Sequence, residues 1–353
     1  MPRLIDSLAS GPVDIVGDVH GEINALLNLL DRLGVDPEKR TATRKLVFVG
    51  DLIDRGPDSV AVVQLVERLT NAGIAQTILG NHELNLLAGD EKEGNGWFRA
   101  DKDDHSQHRG VRHRFDSRLA SDDERAAITR FLRELPLVLE REDLRVVHAC
   151  WQDEAVRRLP VEGDPALLAA EFESGILARL EAAGIPQQAR AERAEFANLC
   201  DQSVEPTRYL DAVAKEDEAL QCENPIKVLT SGLEIPVERG KHFFTGGKWR
   251  FVNRARWWLE PTDRPTIVGH YWRRRGKAIP GKPDVWDDIP PFAWSGNVYC
   301  VDYSVGRRYD ERHRKVKSGF TGGLAALRWP ERTLMFDDGH APESTCGFGD
   351  MPT

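Results

Sequence analysis

Short apolar runs, each stopped by a glycine and a polar cluster, set the rhythm of the first 90 residues. Val13-Asp14-Ile15-Val16 runs into Gly17-Asp18-Val19-His20-Gly21, and Lys45-Leu46-Val47-Phe48-Val49 into Gly50-Asp51-Leu52-Ile53-Asp54-Arg55-Gly56. Gln76-Thr77-Ile78-Leu79 runs into Gly80-Asn81-His82-Glu83. Runs this short, bounded by turn residues, predict buried strands whose ends carry the polar groups. Between them the period changes. Glu22 to Leu33 sets Ile23, Leu26, Leu27, Leu30 and Leu33 at helical spacing before Gly34, and Asp58 to Ala72 sets Val60, Val63, Leu65, Val66 and Leu69 before Gly73. These segments predict two helices, hence a βαβαβ layout with largely parallel strands and an α/β class. In such sheets ligands bind at the strand ends that carry the loops.

Further strands are predicted over Leu144 to His148, Pro265 to Gly269, Val298 to Asp302, Leu324 to Trp329 and Thr333 to Phe336. Pro330-Glu331-Arg332 reads as a hairpin turn joining the last two. The texture differs between Trp151 and Arg264. Pro165 to Glu173 and Ser174 to Ala183 are rich in Ala, Glu, Arg and Leu and predict separate helices within a mainly helical insertion at about 152–260. Residues 90–125 are polar and irregular, and predict a long surface loop or short helices.

Composition narrows the class. At 353 residues, 30% of them charged, with a net charge of −9, the chain reads as a soluble protein with a large core and no globally basic nucleic-acid surface. Nucleic acid stays a possible partner through local patches. No run approaches the ~18 to 20 apolar residues of a membrane span, and the start lacks a signal-peptide core, so a cytoplasmic location with no membrane partner is expected. Five scattered cysteines, Cys150, Cys200, Cys222, Cys300 and Cys346, show no CxxC spacing and predict free thiols.

The three motifs, GDxHG, GDxxDRG and GNHE in that order, resemble the phosphoprotein-phosphatase branch of the calcineurin-like metallophosphoesterases, which includes bacterial serine/threonine phosphatases and diadenosine tetraphosphatases. The resemblance covers 13–90, 144–150 and 265–336. It implies a single domain over 1–353 with the insertion, folded as a four-layer αββα sandwich of two mixed sheets. It also implies two divalent metal ions, most readily Mn²⁺, with Fe, Zn, Co or Ni as other occupants of a mixed nitrogen and oxygen site. By resemblance Asp18 and His20 hold one ion, Asn81, His148 and His270 the other, and Asp51 bridges them, which two carboxylate oxygens permit. Two departures from the family text follow the later histidines: Cys150 stands where glycine is usual, and Tyr271-Trp272 replace small or polar residues. Tyr303-Ser304 likewise stand in place of Thr-Gly after Asp302.

Two cations ~3.5 to 4 Å apart would activate a shared water for in-line attack on phosphorus. The family assigns leaving-group protonation to the GNHE histidine, here His82, with Asp54 as its carboxylate partner. Arg55 and Asn81 would bind phosphate oxygens, and a guanidinium does so bidentately at any working pH. Arg254 or Arg256 is the candidate second arginine. The run Arg273-Arg274-Arg275-Gly276-Lys277 would favour polyanions if it lined the cleft and would be uninformative if solvated. Six tryptophans, Trp249, Trp257, Trp258, Trp272, Trp286 and Trp294, either stack a nucleobase or form core. The leading expectation is hydrolysis of a phosphomonoester, on a phosphoprotein Ser or Thr or a small metabolite. The alternatives are a nucleotide-directed hydrolase of dinucleoside polyphosphates or RNA ends and, from another class, a non-catalytic metal-binding scaffold.

Overall fold

Strict alternation along the central strands sends side chains into two different apolar layers. Val13, Ile15, Val47 and Val49 enter one, while Val16, Leu46 and Phe48 enter the other. A strand buried on both faces must be covered on both faces. One cover is a second sheet, since Leu139, Leu144, Val146, Ile267, Tyr299 and Val301 share the first layer. The other cover is helical: the helices Ile23–Leu33 and Ser59–Asn71 bury Leu26, Leu29, Leu30, Leu33, Val62, Val63 and Leu69 against the outer face. Each such side chain contributes roughly 1.5–3 kcal/mol relative to exposure.

The computed structural model describes residues 2–101, 103–108, 111–196, 198–245, 247–276 and 285–349. Its six-stranded sheet runs Glu343–Ser344, Thr333–Phe336, Ala325–Trp329, Val13–Val16, Lys45–Phe48, Ala75–Thr77. The last three strands are parallel and the rest antiparallel. The five-stranded sheet runs Ile5–Ser7, Val138–Arg141, Leu144–Val147, Thr266–Val268, Val298–Cys300, also mixed. The helix Pro225–Ser231 packs outside the second sheet, where the Ala149 amide donates to the Leu229 carbonyl at 2.8 Å. This is the four-layer αββα sandwich, and Ala325–Trp329 pairs with Thr333–Phe336 as the expected hairpin.

Two expectations are corrected. Pro165–Ala182 is one continuous helix, capped by Asp164, whose carboxylate accepts from the Ala166 and Leu167 amides. Gly175 lies mid-helix with open space beside it. Within 90–125 stand the short helix Gly96–Arg99 and an antiparallel ribbon of His105–His108 with Val111–Arg114. His105-Ser106-Gln107-His108 has no apolar residue, so it offers no period to read. Between 152 and 260 the described residues form five helices, four short strands and a final turn, with two small apolar clusters of their own.

Candidate metal centre

Six strand ends, three from each sheet, deliver polar residues to one edge. Asp18, Asp51 and Asn81 follow the parallel strands of the first sheet, and His148, His270 and Asp302 those of the second. All except Asn81 are buried. The chain takes sharp turns to do this. His20, Asp51, Asp54, Arg55 and His270 have φ of +48°, +48°, +74°, +68° and +69°. Left-handed backbone costs an L-residue roughly 1–2 kcal/mol, so the surroundings must hold it. Glu83, fully buried, does much of the holding: its carboxylate accepts the amides of Asp51, Leu52 and Gly80 at 2.9, 2.8 and 2.9 Å. Gly80 has to be glycine, since a Cβ there would collide with Asp51.

Ring tautomers follow from their partners. A carbonyl only accepts, so the Nδ1 of His148, 2.7 Å from the Val49 carbonyl, and of His20, 3.1 Å from that of Ile53, both carry protons. Their Nε2 lone pairs are thereby aimed at the carboxylates. His148 Nε2 stands 3.3 Å from Asp51 Oδ1 and 3.2 Å from Asn81 Oδ1; three acceptors converge there and need a cation, either a proton or a metal. His20 Nε2 lies 3.9 Å from Asp18 and 3.8 Å from Asp51, and accepts from Arg55 at 2.7 Å. His270 donates Nδ1–H to Asn81 at 2.8 Å, leaving a buried Nε2 with no hydrogen-bond partner.

His82 is oriented by a chain of bonds. Its Nδ1 contacts Asp54 at 2.6 Å, and the other Asp54 oxygen accepts from the buried Trp97 indole at 2.7 Å. His82 Nε2 then faces Asp51 at 3.9 Å.

Charge is crowded here. Burial, then the Asp302 and Asp51 charges, hold the Asp18 carboxyl well above the usual range. Burial also raises Asp302, and burial with Asp51 pushes Glu83 up to about 7. His20 and His270 are held well below ordinary histidine by burial, helped by Arg55 and Arg254 respectively. For Asp51, burial opposes ionisation, but His148, His82 and His20 outweigh it and keep the carboxyl well below its normal range. Two sets of ligand atoms, His20/Asp51/His82 and Asp51/His148/His270, each lie within 4.8 Å of one another and share Asp51. Buried carboxylates and unprotonated imidazole nitrogens, without thiolates, form a donor set that fits hard or borderline divalent ions.

Residues 11–159 match the profile of the calcineurin-like phosphoesterase family, and the motif residues Asp18, His20, Asp51, Asn81, His82 and His148 all fall within that span. The asymmetrical bis(5'-nucleosyl)-tetraphosphatase PrpE of Oceanobacillus iheyensis is 46% identical over 74 residues, which are 20% of this chain and 30% of that protein. The symmetrical bis(5'-nucleosyl)-tetraphosphatase of Dechloromonas aromatica is 32% identical over 166 residues, 46% of this chain and 53% of that protein. The matches thus span about half or less of these relatives. Among solved structures, the cold-active protein-tyrosine phosphatase of a psychrophilic Shewanella sp. aligns over 98% of this chain and 83% of its own, with 16% identity and a TM-score of 0.45.

Beyond the calcineurin-like phosphoesterase motifs, the arginine and tryptophan segment divides cleanly. Arg254 bears on His270 and lies 5.7 Å from the Tyr271 ring, whereas Arg256 is ion-paired with Asp288. The 273–275 run is no cleft rail: Arg273 is buried 4.9 Å from the Tyr299 ring, Arg274 pairs with Asp287 and Arg275 with Asp338. Lys277 lies outside the described residues. Trp258 and Trp286 stack on each other at 4.6 Å, Trp257 and Trp294 are also core, and Trp249 packs in the insertion. Trp272 alone of the six borders the metal centre, its ring 6.3 Å from that of His20. Ser304 takes φ +63°, in the left-handed region that favours glycine, while Cys150 is absent from the left-handed residues.

Sequence reasoning gave no role to Glu83, Trp97 or Asp302. Asp302 accepts the amides of Ser304 and Trp272, both at 2.7 Å. Its place after an apolar strand, like Asp18 and Asp51, was the available signal. Trp97 left only an aromatic pair, Trp97-Phe98, in an otherwise polar stretch.

Proposed function

We propose that this protein is a metal-dependent phosphoesterase that hydrolyses a nucleotide substrate with several phosphates, of the dinucleoside polyphosphate kind. The observation carrying the chemistry is the sharing of buried Asp51 by two histidine-containing ligand groups. The named activity of the tetraphosphatase relatives supports the nucleotide-directed reading over the phosphomonoester reading that the motifs alone favour. When bound, a pair of divalent ions supplies Lewis-acid polarisation of phosphoryl oxygens and a nucleophile from water at neutral pH. Asp18, His20, Asp51, Asn81, His148 and His270 would hold them, with manganese the proposed resident. His82 is the proposed proton donor to the leaving oxygen. Asp54 accepts its Nδ1 proton and Trp97 fixes Asp54, so the imidazole turns Nε2 toward the site. Arg55, and Arg254 beside His270, would bind phosphoryl oxygens and neutralise charge that grows in the transition state.

No helix among the described residues is long and apolar enough to cross a membrane, and a cytoplasmic location is part of the proposal. The test is a panel on manganese-loaded protein: diadenosine tetraphosphate, a phosphopeptide, para-nitrophenyl phosphate and a 2′,3′-cyclic nucleotide. Diadenosine tetraphosphate is expected to lead by at least about tenfold in kcat/KM, about 1.4 kcal/mol. A leading phosphopeptide would restore the phosphomonoester reading, and inactivity with Mn, Fe, Zn, Co and Ni alike would favour the scaffold.

A further inference from the structure

Asp54 and Arg55 are adjacent, and both have left-handed backbone, at φ +74° and +68°. Backbone of that kind persists only where its surroundings hold it. Part of the hold is local: the Asp54 amide donates to the Ser59 hydroxyl at 2.9 Å, and the Gly56 amide to the Asp54 carbonyl at 2.8 Å. The rest comes from outside the three motifs, from the stretch between Gly94 and Asp104. There the Gly94 carbonyl accepts the Arg55 amide at 3.2 Å, and the Trp97 indole donates to Asp54 at 2.7 Å.

One side chain ties these two contacts together. Asp104 is buried, and its two oxygens accept the buried amides of Gly94 at 3.2 Å and Gly96 at 2.7 Å. Gly94 is the residue whose carbonyl holds Arg55, and Gly96 opens the short helix that carries Trp97. Each oxygen thus governs one branch: Oδ1 acts through Gly94 on Arg55, and Oδ2 through Gly96 and Trp97 on Asp54 and His82. The fit is tight. A Cβ on Gly94, at φ +92°, would stand 3.2 Å from Arg55 Cγ and from its amide nitrogen, and a Cβ on Gly96 would stand 2.4 Å from Asp104 Cβ. Without the carboxylate, two buried amides lose their acceptors, and leaving them unpaired costs more than the bonds contribute. The stretch must then move, and both branches move with it.

We propose that Asp104 is a positioning residue for hydrolysis, setting Arg55 for phosphate and His82 for the leaving oxygen from a single carboxylate. The inference rests on the roles proposed above for Arg55 and His82.

The test separates the branches with Asp104→Ala, Trp97→Phe and Gly94→Ala in the full chain. Manganese-loaded protein is assayed on phenyl phosphate, whose leaving oxygen needs a proton, and on para-nitrophenyl phosphate, whose leaving group departs as a stable anion. Asp104→Ala is expected to lower kcat about 100-fold on the first and about fivefold on the second, since a misplaced acid penalises the poor leaving group. It should also weaken binding of inorganic phosphate, titrated by calorimetry, about tenfold through Arg55. Trp97→Phe should reproduce the leaving-group effect with phosphate affinity unchanged, and Gly94→Ala the reverse. A second readout needs no turnover. The His82 Nδ1 proton, shared with Asp54 across 2.6 Å, should give a far-downfield proton resonance in the zinc-loaded chain, assigned by its loss in His82→Ala. Asp104→Ala and Trp97→Phe should shift or broaden that resonance, and Gly94→Ala should leave it in place. Equal losses on the two phosphoesters with the resonance unmoved in Asp104→Ala overturn the proposal, as does wild-type behaviour throughout. Asp104→Asn, which keeps one accepting oxygen for two amides, carries the same comparison if the alanine variant does not fold; it should lose at least one branch, and loss of neither overturns the proposal. Inactivity of wild type toward every phosphoester would sink the phosphoesterase reading alone, and the resonance would then decide on Asp104.

Discussion

Among the described residues between 152 and 260 every left-handed backbone position is a glycine, Gly184, Gly232, Gly240 and Gly247; around the metal centre Gly21 and Gly50 share that backbone with His20, Asp51, Asp54, Arg55, His270, Trp272 and Ser304. The helical region uses glycine wherever the chain must turn that way, and caps its helices with residues such as Asp164 and Asn224. The centre places functional side chains on the same strained backbone. Seven such residues cost on the order of 10 kcal/mol, as much as the whole stability of an ordinary domain. Buried networks under Glu83, Asp302 and Asp18 offset that cost, and on the proposed reading divalent ions complete the compensation. One region is built for stability; the other stores strain in exchange for geometry.

The largest effect should come from Asp51→Asn, which removes the group common to both ligand sets. Hydrolysis is expected to fall by at least ~10³-fold, about 4 kcal/mol, with divalent content measured by plasma mass spectrometry dropping in parallel. Normal metal content with normal activity would break the contrast outright.

Metal removal comes next. With free Mn²⁺ at about 100 times its dissociation constant, binding adds about 2.7 kcal/mol, so EDTA should lower the melting temperature by several degrees in calorimetry. Asp51→Asn should lose most of that shift. An identical shift in both would place the ions elsewhere.

Glu83→Gln tests the network through pH. In metal-free protein the Glu83 carboxyl rises from 4.5 to about 7 on folding. Its contribution is therefore full below pH 4.5 and is lost as pH climbs through 7. The variant lacks that slope, so wild type should lose about 1–3 kcal/mol against it between pH 4.5 and 7.5, read from urea midpoints. A gap moving the opposite way would mean a carboxyl charged throughout.

The smallest effect belongs to the other region. Asp164→Ala removes a helix cap and should cost about 1 kcal/mol of stability, leaving kcat/KM within about twofold. A larger kinetic effect would show that the helices are coupled to the centre.

How far these differences can be read from sequence follows from contiguity. Asp18, His20, Asp51, Asn81 and His82 each stand just past an apolar run, so a strand end and its candidate site residue lie in one short text. His148 and His270 repeat that text once each, far along the chain. Glu83 was legible as a motif letter and silent as a support, since its three partners are amides, which every sequence possesses. The single helix Pro165–Ala182 carries Gly175 near its middle, where an exposed setting with open space leaves only a propensity cost.

The carbonyls of Val49 and Ile53 that set the ring tautomers of His148 and His20 have a bearing on how such a centre evolves. Where a carboxylate orients a metal-site histidine, one nucleotide change can remove the orienting group. A main-chain oxygen cannot be deleted by substitution. Codons 49 and 53 are free to drift among apolar residues of similar bulk while both imidazoles keep their aim. This hereditary insulation leaves neighbouring loops open to variation in what the centre acts upon.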